Sequence, residues 1–209
     1  MTTTQRVKIG AWSYGLACHA AFAIAVIAMF YELRSGMAYG LLDLHGGYAL
    51  LLNILLLLQF PLLHSYLLSR SGGPLLTQTV PGQYGKDLQT TSFTLISSLQ
   101  LTIAMLCWSP SHSQWWAPSG MWLAIWNTAY LMSWMLLAKT MQEAGLGVQL
   151  GYLGWRAVAA GRKPQYGSFS REGLHSLVRQ PIYLAFLLIL LTGPVWNLDH
   201  ILIVALWGS

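Results

Sequence analysis

Apolar runs of about 20 residues, returning between short polar loops, constrain this chain more than any motif in it, because about 20 helical residues cross a bilayer core. The runs are Gly10–Tyr31, Leu44–Ser69, Gln89–Trp108, Met121–Ala138 and Pro181–Leu198, the last broken by Gly193-Pro194. With 55% hydrophobic and only 8% charged residues, the chain lacks the polar surface of a soluble domain. Lipid leaves the backbone no water to bond, so only helices or closed barrels span it. Runs this continuous predict helices. The expected fold is an all-α polytopic membrane helix bundle of five spans plus a truncated sixth. Arg6 and Lys8 precede the first run as they would in a signal peptide, but the run continues past Phe30 and reads as a retained span.

The basic residues orient the bundle. Arg6 and Lys8 lie before the first span, Arg70 and Lys86 on the second loop, and Lys139, Arg156, Arg162, Lys163, Arg171 and Arg179 on the long segment before the fifth. Only Arg34 falls on the other side, so ten of the eleven basic residues share one face. The positive-inside rule makes that face, and the N-terminus with it, cytoplasmic, in a cytoplasmic (inner) membrane. It also accounts for the +5 net charge without a nucleic-acid partner. Trp108, Trp115, Trp116 and Trp122 are expected in an aromatic belt at the opposite interface.

The chain then reads as one integral membrane domain: a four-helix part (1–138), a cytoplasmic or interfacial segment (139–180), and a fifth span with the start of a sixth (181–209). In the interfacial segment Leu146, Leu150 and Leu153 fall on one helix face. Gly147, Gly151 and Gly154 each weaken a helix by about 1 kcal/mol relative to Ala, predicting irregular ends. After Asp199-His200 the run ILIVALWGS stops at about half a span, which reads as a fragment or as an edge completed by a membrane protein partner. Cys18 and Cys107 sit in apolar runs without a CxxC partner and read as small buried hydrophobes.

Polar residues at membrane depth need partners. Asn53 and His64 are eleven residues apart, on nearly one helix face, and Pro61 frees the carbonyl of Leu57. His64 has two readings, a hydrogen bond to a neighbouring helix or a cofactor contact. Thr94, Ser98 and Thr102 recur every four residues, the mark of close helix packing, and Asn127 suggests an interhelical hydrogen bond. No phosphate loop, serine elbow or zinc pair is present, and no metal site is expected.

The stretch GLHSLVRQPIYLAFL, Gly173–Leu187, joins a basic turn to an apolar run. Pro181 disfavours the α conformation at Gln180 and predicts a helix start, leaving Arg179 and Gln180 at the lip of a membrane helix. Such a lip is either an ordinary boundary with a snorkelling arginine or a seat for a polar cofactor.

EGLHSLVRQPIYLAFLL resembles the G-x-Y-x-x-V-R-H-P-x-Y-x-G-F segment of the isoprenylcysteine carboxyl methyltransferase-like membrane methyltransferases. LLHSYLLS, VPGQYGKDLQTTSFTLISSLQL, WSP and QEAGLGVQLGYL resemble that family's NnrU and methanethiol S-methyltransferase branch, so the likeness runs from about Leu62 to the end. The resemblance implies S-adenosylmethionine bound at the cytoplasmic face and a methyl acceptor that is a small thiol or a lipophilic molecule reached from the membrane lipids. It places Gly173, Val178, Arg179, Gln180, Pro181 and Tyr183 at the cofactor, and leaves Arg179 and His64 as candidates for a catalytic role. It also departs at specific residues. Gln180 stands for a histidine and cannot act as a base, His175 stands for a tyrosine, and Ala185 for a glycine. The family's second signature, two adjacent glutamates after the next helix, would lie beyond Ser209. Two further readings stay open: a haem-dependent isomerase of the NnrU type with His64 as axial ligand, and a non-catalytic membrane subunit that kept the scaffold.

Overall fold

The computed structural model describes residues 2–80, 82–167 and 173–208. Among them it forms nine α-helices and one 3-10 turn: α1 (Thr3–Ser35), α2 (Gly46–Leu68), α3 (Gly73–Gln78), α4 (Gln89–Leu106), α5 (Gly120–Glu143), α6 (Leu146–Gln149), α7 (Tyr152–Ala159), the turn Gly173–Ser176, α8 (Pro181–Thr192) and α9 (Leu198–Trp207). The protein is all-α. Helices α1, α2 and α5 are long and apolar enough to cross a membrane, and α8 and α9 are shorter apolar helices. Leu16, Leu51, Leu55, Leu62, Met132 and Met135 stay exposed on the long helices, a surface suited to lipid and costly in water. These features mark a multi-pass membrane protein.

The chain groups into two compact units, one of residues 1–26, 60–101 and 145–169, the other of residues 27–59, 102–144 and 170–209.

In the first unit, α4 is organised by its hydroxyls. Thr91, Ser92, Thr94 and Ser98 are buried. The Thr91 hydroxyl donates to the Gly151 carbonyl at 2.6 Å, Tyr14 donates to Ser92 at 2.9 Å, and Thr94 reaches the Gln149 carbonyl at 3.5 Å. Thr91 and Thr94 therefore meet the corner between α6 and α7, while Ser92 meets the long helix α1. The corner exists because Gly151 takes φ +68° and ends α6, while a Cβ there would lie 2.8 Å from the Thr94 hydroxyl. The single interfacial helix expected from the leucine spacing is thus two short ones. Trp155 of α7 lies against Gly15 of α1, where a Cβ would stand 2.4 Å from its ring, and its indole N–H donates to His19 Nε2 at 3.1 Å. Ala11, Leu88, Trp155 and Val158 close the core around it.

The second unit is built on α5 and α8, whose Ser133 and Thr192 hydroxyls meet at 3.2 Å. Tyr130 donates to the Phe30 carbonyl at 2.8 Å, and Arg34 donates to Asn127 at 3.0 Å, the interhelical partner of that asparagine. Arg34 is thus a helical residue, since α1 runs four residues past the expected end at Tyr31. Asn53 and the Ser109 backbone exchange two hydrogen bonds, at 2.8 and 3.0 Å.

Three expectations change here. The fifth apolar helix ends at Thr192, because Gly193 leaves the helical region and Pro194 cannot donate the next backbone bond. Asp199 and His200 lie inside the first turn of α9 and are buried, where the sequence suggested a polar break before the final run. Trp108 is fully buried rather than interfacial: its indole donates to Asp199 at 3.2 Å, while Trp115, Trp116 and Trp122 remain exposed. Asp199 also accepts the Ser111 N–H at 2.8 Å and hydroxyl at 2.6 Å, so one buried carboxylate staples the loop before α5 to the start of α9.

The carbonyl of Leu57, deprived of an intrahelical donor by Pro61, accepts the Trp207 indole N–H at 2.9 Å. Trp207→Phe keeps the ring but orphans that carbonyl and is expected to lower stability by about 1 kcal/mol. Trp115→Phe, at an exposed indole, leaves it unchanged. Unfolding of detergent-solubilised protein measures both.

Candidate functional site

The lip predicted at Gly173–Tyr183 forms from local rules. Gly173 adopts φ +64°, a conformation that favours glycine, and starts the 3-10 turn through Ser176. The Leu177 and Val178 amides donate back to the Leu174 carbonyl at 3.1 and 2.9 Å. Gln180 lies outside the α region, with φ −137° and ψ 74°, as the following proline requires, and Pro181 opens α8. Ala185, where the resemblance has glycine, is fully buried, so its methyl group is accommodated in the packed face of α8.

The side chains divide cleanly by direction. Pro181 is buried and Val178 half-buried, while Arg179, Gln180 and Tyr183 are exposed, Tyr183 at 71%. Arg179 makes no ion pair among the described residues. One short stretch therefore presents a guanidinium, an amide and a phenol ring on a backbone held by a proline. That donor set suits a ligand with a carboxylate, an aromatic ring and a positive centre that tolerates a π face, so its chemistry fits S-adenosylmethionine. Two cavities of about 260 and 400 Å³ also lie in this unit, both reaching Asp199, and none of these six residues lines either of them.

Glu143, the last residue of α5, fixes the start of the turn. Its carboxylate accepts the Leu174 N–H at 2.8 Å and pairs with Lys139 at 3.2 Å, with His175 Nδ1 at 3.9 Å. The imidazole is only 5% exposed, so His175 fills the protein where a tyrosine was the expected type. Glu143 lies beyond the apolar run Met121–Ala138. There the Leu174 N–H and the lysine hold its carboxyl below the usual carboxylate range against some opposing desolvation. The charged form, and the anchor it makes, therefore persists as pH falls toward that lowered value and is lost only below it. Sequence reasoning missed Glu143 as a site residue; its signals were an acid, one of six in the chain, just past an apolar run, and its place in the segment QEAGLGVQLGYL.

His64 belongs to the first unit, whereas Gly173–Tyr183 belongs to the second. Its Nδ1 lies 3.2 Å from the Ser97 hydroxyl of α4, and its ring contacts Phe93 and Phe60 at centroid distances of 4.7 and 5.2 Å. The hydrogen bond to a neighbouring helix is therefore present. Among the described residues no group of three or more His, Cys, Asp or Glu side chains could hold a metal ion.

The chain is distantly homologous to methanethiol S-methyltransferases. It is 26% identical to that of Pseudomonas deceptionensis over 73% of this chain and 57% of the relative. It is 24% identical to methanethiol S-methyltransferase 1 of Bradyrhizobium diazoefficiens over 98% of this chain and 72% of the relative. The chain thus spans little more than half the length of the first of these. No protein-family model and no solved structure matches it.

Gly173→Ala adds a Cβ 2.7 Å from the Glu143 carboxyl carbon in a left-handed backbone. The turn is expected to lose about 1–2 kcal/mol of local stability, read as faster amide exchange over residues 173–180. Gly10→Ala, where nothing lies within 4 Å, leaves that exchange unchanged.

Proposed function

We propose that this chain is the cofactor-binding membrane part of an S-adenosylmethionine-dependent methyltransferase that methylates a small thiol, a lipophilic acceptor being the alternative substrate class. The distant homology to two methanethiol S-methyltransferases carries this reading. The exposed Arg179, Gln180 and Tyr183 on a proline-fixed stretch support its placement. The distribution of the basic residues along the sequence supports a site at the cytoplasmic side of the inner membrane.

When bound, the cofactor supplies a methyl group on a positive sulfur, open to in-line attack by a thiolate. The chain's own part is orientation and exclusion of water. Arg179 would hold the cofactor's carboxylate by charge-assisted hydrogen bonds. The backbone at Val178 and the Gln180 amide would bond its polar edges, and the exposed Tyr183 ring would lie against it. Gly173 and Pro181 set the backbone that carries these groups. Gln180 cannot take a proton, so the acceptor arrives as thiolate or gives its proton to another group.

Equilibrium dialysis of the detergent-solubilised full chain against labelled S-adenosylmethionine tests the reading. Arg179→Ala is expected to weaken binding by about tenfold or more, equivalent to about 1.5–3 kcal/mol for a hydrogen bond to a charged group. Arg179→Lys recovers only part, because an ammonium cannot reproduce the bidentate fork. Absence of binding by the wild-type chain overturns the reading and leaves a scaffold without chemistry.

A further inference from the structure

We propose that Glu143 is a positioning residue for the cofactor segment, holding the Gly173–Ser176 turn at the end of α5 so that Arg179, Gln180 and Tyr183 emerge from one fixed stretch. The inference rests on the reading of that segment as the cofactor site, and it assigns the site a determinant that lies thirty-six residues upstream of Arg179 in the chain.

Four observations meet at this carboxylate. One oxygen accepts the Leu174 N–H at 2.8 Å, across a separation of 31 residues. The other lies 3.2 Å from Lys139, one helical turn earlier, which fixes its direction. Gly173 passes so near that any side chain there would overlap the carboxyl group, with distances of 2.7–2.8 Å from a Cβ to its three atoms. His175 turns its ring inward beside the same oxygen that binds Leu174, leaving only 5% of its side chain exposed.

A surface Lys–Glu pair at i,i+4 alone contributes only a few tenths of a kcal/mol, and its glutamate has no reason to be enclosed. Here the lysine is 59% exposed and the glutamate 16%, so the glutamate faces the turn. The hydrogen bond matters for the site because it joins the end of α5 to the start of the turn across a separation of 31 residues. With it, the backbone between Gly173 and Gln180 is held at its start by Glu143 as well as at its end by Pro181 and the packing of α8. Three exposed side chains on a mobile stretch would have to be ordered at each binding event, a cost that a preset turn removes.

Hydrogen exchange and S-adenosylmethionine binding, both on the full chain in detergent, test the proposal with Glu143→Ala, Glu143→Asp and Glu143→Gln. Glu143→Ala should speed amide exchange over residues 173–180 by about tenfold and weaken binding by a similar factor, with exchange elsewhere unchanged. Glu143→Gln keeps an acceptor for Leu174 and should restore both to within about threefold of wild type. Glu143→Asp keeps the charge but shortens the reach, and should resemble Glu143→Ala; it serves if the alanine variant fails to fold. Unchanged exchange and binding in both Glu143→Ala and Glu143→Asp overturn the proposal, as does equal loss in Glu143→Gln, which would make charge alone the cause. If the wild-type chain binds no S-adenosylmethionine, the cofactor reading fails; exchange over residues 173–180 then decides the tether by itself, unchanged exchange in the alanine variant overturning it.

Discussion

A polar group removed from water costs several kcal/mol unless the chain supplies a partner, and apolar surroundings leave few places to find one. Each compact unit answers with a side chain that serves several segments. In the first unit the Thr91 hydroxyl binds the Gly151 carbonyl, and the Thr91 carbonyl lies 3.5 Å from Cys18, so one residue of α4 touches both α1 and the α6–α7 corner. In the second, Asp199 gathers Trp108 and both donors of Ser111. Remove either centre and several segments lose their register together. The same constraint explains Trp207: a proline inside α2 created an orphan carbonyl, and a donor from α9 covers it.

The candidate site uses the opposite arrangement at its surface. Glu143 and His175 face inward at the turn, while Arg179, Gln180 and Tyr183 face outward. Enclosing the first pair stiffens the backbone, while the second group stays exposed and available to a ligand. Among the described residues the guanidinium has no carboxylate partner, which is tolerable because it stays exposed.

How far the residues themselves revealed this depends on the distance over which each effect acts. The start of α8 at Pro181 and the non-helical Gln180 follow from proline sterics within one residue and match. The freed Leu57 carbonyl was equally legible, but its acceptor role toward Trp207 was not, since those residues are 150 apart. Trp108 shows the reverse problem. An aromatic residue at the end of an apolar run looks like an interfacial anchor, and only the placement of Asp199 turns it inward. Thr94 of the hydroxyl stripe on α4 packs closely as announced, while its contact with the α6–α7 corner depends on the left-handed Gly151. Glu143 was invisible for the same reason: its value lies in a contact 31 residues away.

By itself the sequence determined that the chain is helical, apolar enough for a membrane, broken at its prolines and glycines, and bent into a lip at Gly173–Pro181. These depend on hydropathy summed along the chain and on backbone sterics, which act locally. Tertiary structure alone decided which tryptophan is core, which hydroxyl meets which carbonyl, and which acid holds the lip. Those depend on pairs of groups far apart in the chain, and a pattern read along one dimension does not contain their distances.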